Sequence, residues 1–466
     1  MRILLVFPPM LGEERYGKLA RAGSYLPPLG LAYLAAVLEN KHEVKIIDGA
    51  ALNITIDDIK KTLAEWKPDI LGITAYTPTF YRALATCKLA KELNPKITTI
   101  LGGPHPTACP EDSIADTNVD IVVIGEGEKT IVELTAALEA GTDISAVKGI
   151  VYKKEGTHVF TPVQERIQDL NALPLPARHL LNWKIYKPSV MHYKYLPAFS
   201  IMCGRGCPYK CTFCSCSKVF KKRVTVRTPE NIIAEITHLK DKYSAKEVMF
   251  WDDTFGLSKT WVFKLCDMLK PLKISWSCWM RVNLVDKETI KKMADSGCWH
   301  ISYGIESGNQ MVLDEIKKGI TIEQIKNAFK WTHEAGMEAR GTFILGLPKD
   351  SWESMMDTIN LAVDINADYA QFQLLTPYPG TELWDVVNQY GDFNIKDLSK
   401  YTIWFPVFIP KGLSQEILMK AHKLSYRKFY FRPGYLWRRL KTIKSILDIK
   451  RNFMGIMSLF DFFYKK

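Results

Sequence analysis

The sequence predicts an α/β protein: two consecutive parallel-sheet domains, then a helical and basic C-terminal region. Three observations predict it. Over residues 1–140, short β-branched runs alternate with helical patterns. The alternation resumes over 198–385, with polar residues gathered where each strand pattern ends. Beyond 386 it stops, and positive charge takes over.

In the first domain, residues 1–140, the strand patterns are 2–7, 43–48, 69–76, 97–102 and 120–124, with helical patterns at 28–39, 57–66, 79–93 and 128–140. Such spacing gives a doubly wound sheet of flavodoxin-like order 2-1-3-4-5, whose ligands sit beyond the carboxyl ends of the strands. Those ends are built of small residues and bends: Pro8-Pro9, Thr74, Gly102-Gly103 leading to His105, and Gly125-Glu126-Gly127. An edge of this kind suits a large flat ligand approached by backbone.

Residues 141–197 read as a connector, with a β-hairpin over 149–160 turning at Glu155-Gly156. In the second domain, residues 198–385, strands are expected at 198–202, 247–252, 274–282, 299–305, 339–346 and 369–375, with helices such as 229–243, 287–296 and 351–365 between them. Six βα units make a partial (βα)6 barrel whose chemistry belongs at the strand carboxyl ends. Asp252 and Asp253, Arg281, Glu306-Ser307, and the run Gly341 to Gly346 fall there, with Asp350 in the turn that follows.

At the end of the first barrel strand, Cys207, Cys211 and Cys214 stand in a C-x3-C-x2-C spacing, with Phe213 before the last cysteine. Three thiolates so spaced can hold three irons of a [4Fe–4S] cluster and leave the fourth open to a small molecule. A structural zinc site usually takes four ligands in paired C-x2-C spacings, and the second pair is missing. The ten cysteines are too dilute for a disulfide scaffold, which points to reduced thiols in a cytoplasmic, anaerobic setting. Cys203 and Cys216 flank the triad and read as free thiols.

The net charge is +12, but residues 420–466 hold thirteen Lys and Arg against Asp448 and Asp461, leaving the rest near neutral. A helix is expected over 413–430, broken at 432–434. Then come basic helical patterns over 435–451 and 453–466, with Leu436, Leu440, Ile443, Leu447 and Phe453 to one side and Arg438, Arg439, Lys441 and Lys444 around the other. Basic amphipathic helices with aromatics lie in anionic membrane interfaces. The longest apolar stretch, 26–38, contains prolines and is too short to span a bilayer, and the opening run reads as a strand rather than a signal peptide.

The cysteine loop resembles the cluster loop of the radical SAM superfamily. Leu26-Pro-Pro-Leu-Gly30, Gly102-Gly-Pro-His105 and Gly125-Glu-Gly-Glu128 resemble the B12-binding domain that precedes the barrel in one subgroup. That subgroup contains anaerobic magnesium-protoporphyrin ester cyclase, hopanoid methylases and phosphinate methylases. The resemblance implies a [4Fe–4S] cluster, S-adenosylmethionine and cobalamin as cofactors, and an external reductant of flavodoxin or ferredoxin type. It implies reductive cleavage of S-adenosylmethionine to attack an unactivated carbon, by methylation, cyclisation or oxidation, on an apolar substrate such as a lipid, hopanoid or tetrapyrrole.

By the same resemblance Phe213, Asp252, Arg281, Glu306, Ser307, Gly341 and Gly346 bind S-adenosylmethionine. Glu306 would take the ribose hydroxyls and Arg281 the methionine carboxylate. Pro8, Pro9, Leu29, Gly30, Thr74, Gly102, Gly103, His105, Gly125, Glu126 and Gly127 would contact cobalamin. The D-x-H-x-x-G motif that gives cobalt a histidine is absent, so a loop histidine such as His105 is expected only to hydrogen-bond. Two other readings stand beside this one: the same radical chemistry with no cobalamin bound, and an RNA-modifying enzyme using the basic tail. The second lacks the extra cluster cysteines of methylthiotransferases, since only Cys87 and Cys109 precede the connector.

Overall fold

The computed structural model describes residues 1–220, 222–393, 397–443 and 445–464, without the side chains of 217 and 218. Two compact units emerge. One contains residues 1–15 and 25–187 with the turn Leu398–Lys400; the other contains 16–24, 188–393 and 402–464.

In the first unit, β1 (Arg2–Phe7), β2 (Glu43–Asp48), β3 (Ile70–Thr74), β4 (Thr98–Gly102) and β5 (Ile121–Val123) run parallel in the order 2-1-3-4-5. Both faces of these strands are apolar because helices cover both. Leu4, Val6, Leu71 and Leu101 pack on one side, and Ile3, Leu5, Ile70 and Ile100 on the other. The hairpin does not stand between domains. Its strands β6 (Ile150–Lys154) and β7 (Thr157–Phe160) add to this sheet antiparallel, Ile121 opposite Tyr152. Ile150, Val151 and Tyr152 are buried there, and pairing covers the otherwise bare edge of β5.

In the second unit, β8 (Ala198–Ile201) leads into a loop. Within it the short β9 (Gly204–Arg205) pairs with β10 (Thr225–Val226). Then come β11 (Glu247–Phe250), β12 (Ser275–Met280), β13 (Cys298–Glu306), β14 (Glu338–Leu345) and β15 (Tyr369–Leu374). The six main strands are parallel and consecutive, β8-β11-β12-β13-β14-β15, as a partial barrel requires. The helices between them start on side-chain caps. Thr228 accepts from Asn231 N, Asp286 from Thr289 N, and Ser351 from Ser354 N.

The tail departs from expectation. Helices run Gln415–Tyr430, Pro433–Lys441 and Ile446–Tyr464, with Pro433 at the first turn of the second. Leu436 and Leu440 of the apolar side are exposed, but Arg439, expected on the basic side, is only 9% exposed. Arg439 inserts beneath the barrel, pairing with Glu338 at 3.2 Å and with the Tyr369 hydroxyl at 2.6 Å. Arg451, also buried, donates to Val190 O at 2.9 Å and to Tyr369. The half-buried Glu338 carboxylate at the foot of β14 draws Arg439 in against the amphipathic pattern. Lys444, placed by the pattern on the basic side, lies outside the described residues. No helix among the described residues is long and apolar enough to cross a membrane.

Candidate active site

The cysteine loop leaves β8 under tight backbone control. Asp252, just past β11, accepts from Cys203 N at 2.6 Å and Gly204 N at 3.0 Å. Asp253 accepts from Gly206 N at 2.7 Å. Gly206 sits at φ +96°, where a side chain would run into the Arg223 carbonyl. Asp252 is therefore a strut of the loop, and its burial raises its pKa to about 7. Asp253, which could equally have been a surface ion pair, does the same work.

Cys207, Cys211 and Cys214 share this loop, Cys214 N closing a turn onto Cys211 O at 3.2 Å. Burial, and then the neighbouring Cys211 and Cys207, push the Cys214 thiol up to about 11. Thiols that oppose one another's ionisation in this way form a donor set that irons would neutralise, so the loop fits a cluster. The Cys207 thiol is held down first by a hydrogen bond with Cys216, which makes Cys216 a neighbour of the triad rather than a detached thiol. Among the described residues no three ligand side chains already stand at metal-binding separation.

Arg281, at the end of β12, is buried over the loop. Its guanidinium lies 3.6 Å from the Tyr209 ring centre, Nη1 is 3.6 Å from Cys211 Sγ, and Nη2 donates to Lys318 O. Glu306, at the end of β13, takes φ +73° and is buried. Lys318 Nζ donates to its Oε1 at 2.6 Å. A Cβ on Gly304 would come within 2.8 Å of that oxygen, so Gly304 makes the room. Nothing in the sequence singles out Lys318. It follows Lys317 in a polar turn and reads as a solvated charge.

Three further expected residues make contacts within the protein. Ser307 is fully buried, its hydroxyl against Thr358 Oγ1 at 3.2 Å, where it braces a helix. Gly341 faces away from the barrel interior, its missing side chain replaced by the Phe343 ring at 2.7 Å. Gly346, at φ +82°, donates to Asp350 Oδ2 at 3.0 Å, so Asp350 ties the β14 turn together. Phe213 is half-buried in the loop.

In the first unit, the strand ends form a rim. Gly103 needs its φ of +100°, since a Cβ would lie 2.5 Å from Thr74 Oγ1. Pro8 and Pro9 are buried, and Pro9 O accepts from Arg82 at 3.0 Å. Gly102 faces Val123, and Gly127 starts a helix beside Leu34. Leu29 begins the helix Leu29–Leu38. A Cβ added to Gly30 or Gly125 meets nothing within 4 Å, so this edge leaves open the space a flat ligand would fill. Two residues expected at this rim make contacts within the protein. Glu126 turns away to accept from Ile167 N at 3.0 Å. His105, 2% exposed, packs on Phe80 and pairs with Thr77 Oγ1 at 3.2 Å. Burial holds His105 down to about 4, so it is neutral and away from the rim.

A doubly wound domain with a bare glycine rim, followed by a six-stranded barrel with a three-cysteine loop at its mouth, defines the cobalamin-type class of radical SAM proteins. A B12 binding domain model matches residues 18–135 and a radical SAM superfamily model residues 201–362. An uncharacterized methyltransferase of Pyrococcus horikoshii is 37% identical, the match covering 99% of both chains. The anaerobic magnesium-protoporphyrin IX monomethyl ester cyclase of Rubrivivax gelatinosus is 30% identical over 94% of this chain and 78% of its own. The radical S-adenosylmethionine methyltransferase TsrM of Kitasatospora setae, solved with cobalamin and a [4Fe–4S] cluster, shares the fold. Its TM-score is 0.73 at 16% identity, covering 99% of both chains. The chain belongs to the family of radical SAM enzymes that carry a B12-binding domain. Its cofactors are a [4Fe–4S] cluster, S-adenosylmethionine and cobalamin.

Proposed function

We propose that this enzyme methylates or cyclises an unactivated carbon of a largely apolar substrate, of lipid, hopanoid or tetrapyrrole type, brought to it at an anionic membrane surface. One observation carries the radical chemistry. The cysteine loop is pinned by Asp252 and Asp253 directly beside Arg281 and the Glu306–Lys318 pair. When bound, the cluster and S-adenosylmethionine supply a carbon radical able to take hydrogen from an unactivated C–H bond. This chain's residues would orient and shield it. Cys207, Cys211 and Cys214 would hold the irons. Arg281 would face the methionine carboxylate, and Glu306, steadied by Lys318, would accept from the ribose hydroxyls. The Gly30 and Gly125 rim would receive the corrin, and an external one-electron donor would reduce the cluster.

The substrate reading is supported by the named chemistry of relatives, a magnesium-protoporphyrin ester cyclase and bacteriochlorophyllide methyltransferases. The membrane reading is supported by the last helix. Ile446, Ile449, Phe453, Ile456, Phe460 and Tyr464 share one face and are exposed, Ile446 by 86%. Lys450 borders this face, while Asp448 and Asp461 are turned to Arg451 and Arg21. An apolar stripe edged by a cation, with both of the segment's acids already paired, suits a bilayer of anionic lipid. The test is anaerobic reconstitution with spectroscopy for cluster and cobalamin, alongside mass comparison of lipid and pigment extracts from a deletion strain. A missing product places the substrate class; unchanged extracts with an active cluster remove it.

A further inference from the structure

Inside the barrel, one layer beneath Arg281, three buried N–H groups lack an acceptor among the described residues. Trp279 and Arg281 alternate into the interior from the same strand end, and Trp251 precedes Asp252. Trp251, Trp279 and His300 surround the imidazole of His192 at ring separations of 5.4, 5.7 and 6.3 Å. These rings, with Ser277 and Ser302, line a cavity of about 10 Å³, room for a single oxygen-sized group. Arg340, 2% exposed on β14, donates to His192 Nε2 and Gln371 Oε1, while its Nε has no partner. Its guanidinium also lies 5.1 Å from the Trp279 ring. Because His192 Nε2 accepts from arginine, the neutral ring carries its proton on Nδ1, and that atom too has no partner. Trp251 Nε1, a donor only, is the third.

The charges around this group are otherwise spent. Glu338 belongs to Arg439, and Asp368 to His333 and Arg438. Glu247 accepts from Lys194 N, Tyr195 N and Trp299, and Asp252 from the cysteine loop. Among the described residues no carboxylate pairs with Arg340. A buried guanidinium without an anion is costly, and three buried N–H groups without acceptors add to that cost. Three unpartnered donors, one of them on a cation, favour an anionic acceptor.

The geometry points to a carboxylate site in the barrel interior, where Arg340, His192 and Trp251 receive one oxygen of the substrate's carboxylate. This rests on the proposed radical reaction and deepens it: the substrate is an apolar acid, held by its carboxylate below the mouth so that a carbon of its apolar body stands at the cysteine-loop end. The tilted rings of Trp251 and Trp279 would line the apolar part.

The test uses the full-length, anaerobically reconstituted protein and calorimetric titration with octanoate, octanamide, formate and bromide. Octanoate is expected to bind, octanamide at least tenfold more weakly, and Arg340→Gln to lose at least tenfold in octanoate affinity. Trp251→Phe keeps the ring and removes one donor, and should lose severalfold; an unchanged cluster absorption spectrum reports that each variant has folded. Octanamide matching octanoate, or both variants binding octanoate as wild type does, would overturn the site. Bromide and formate binding as tightly as octanoate would reduce it to a free-anion site and overturn the substrate assignment. Loss of cluster formation in the wild type would instead strike the radical reading itself, so the two failures are distinct.

Discussion

Lys318 Nζ donates to Glu306 Oε1 at 2.6 Å, both side chains buried at the end of β13. Removing the lysine leaves a buried carboxylate without its cation, which costs about 3–5 kcal/mol. Lys318→Met should therefore lower the unfolding midpoint in denaturant and weaken S-adenosylmethionine binding. Glu306→Ala should weaken binding by about 1.5–3 kcal/mol, the worth of hydrogen bonds to a charged group, with the cluster intact. Unchanged affinity in both variants would make the pair purely structural.

Alanine at Cys207, Cys211 or Cys214 should abolish the reducible cluster, because two thiolates do not hold it. Cys216→Ala should keep it, despite the contact of Cys216 with Cys207. Iron content and absorption after anaerobic reconstitution check this. A cluster retained in Cys211→Ala with S-adenosylmethionine cleavage would overturn the assignment.

At the cobalamin rim, the two glycine types separate binding from folding. Gly30→Phe projects into open space and should remove cobalamin with the melting temperature unchanged. Gly103→Ala meets Thr74 and a left-handed backbone, and should destabilise by about 1–3 kcal/mol. Cobalamin retained by Gly30→Phe would move the ligand away from this edge.

How much of this was legible follows from what each residue answers to. The barrel strands were, because their buried faces leave runs rich in β-branched and aromatic residues of the right length. The loop cysteines were, because their spacing is local. Lys318, Asp252 and Arg439 were not. Each is a charged residue whose partner lies far away in sequence, at Glu306, in the backbone of Cys203 and Gly204, and at Glu338. A pattern of solvated charge and one of buried, paired charge look alike until the chain folds.

Glu247 shows a pH dependence that this burial creates. Burial raises its pKa from the usual glutamate range to about 7, against the hydrogen bonds from Tyr195 N, Lys194 N and Trp299. The folded state thus holds a proton that the unfolded state releases near its ordinary pKa. The contribution to stability is greatest below that value and is lost as pH rises towards about 7. Wild type should lose stability relative to Glu247→Gln between about pH 4.5 and 7 in denaturant titrations. Parallel curves would contradict it.

The tail calls for point changes rather than truncation, since cutting after Phe431 would also remove Arg439 and Arg451 from beneath the barrel. Phe453→Glu with Phe460→Glu alters only the exposed face. It should abolish salt-sensitive co-sedimentation with anionic liposomes while the melting temperature holds. Equal sedimentation of the variant, or tight RNA binding with no liposome binding, would contradict the membrane reading.

The central claim is tested most directly by metal stoichiometry in one sample: iron and cobalt per chain in protein purified anaerobically from B12-replete cells and reconstituted with iron and sulfide. A [4Fe–4S] equivalent of iron together with one cobalamin is the predicted result. Folded protein that holds zinc in place of iron, or a full cluster with no cobalt, would contradict it.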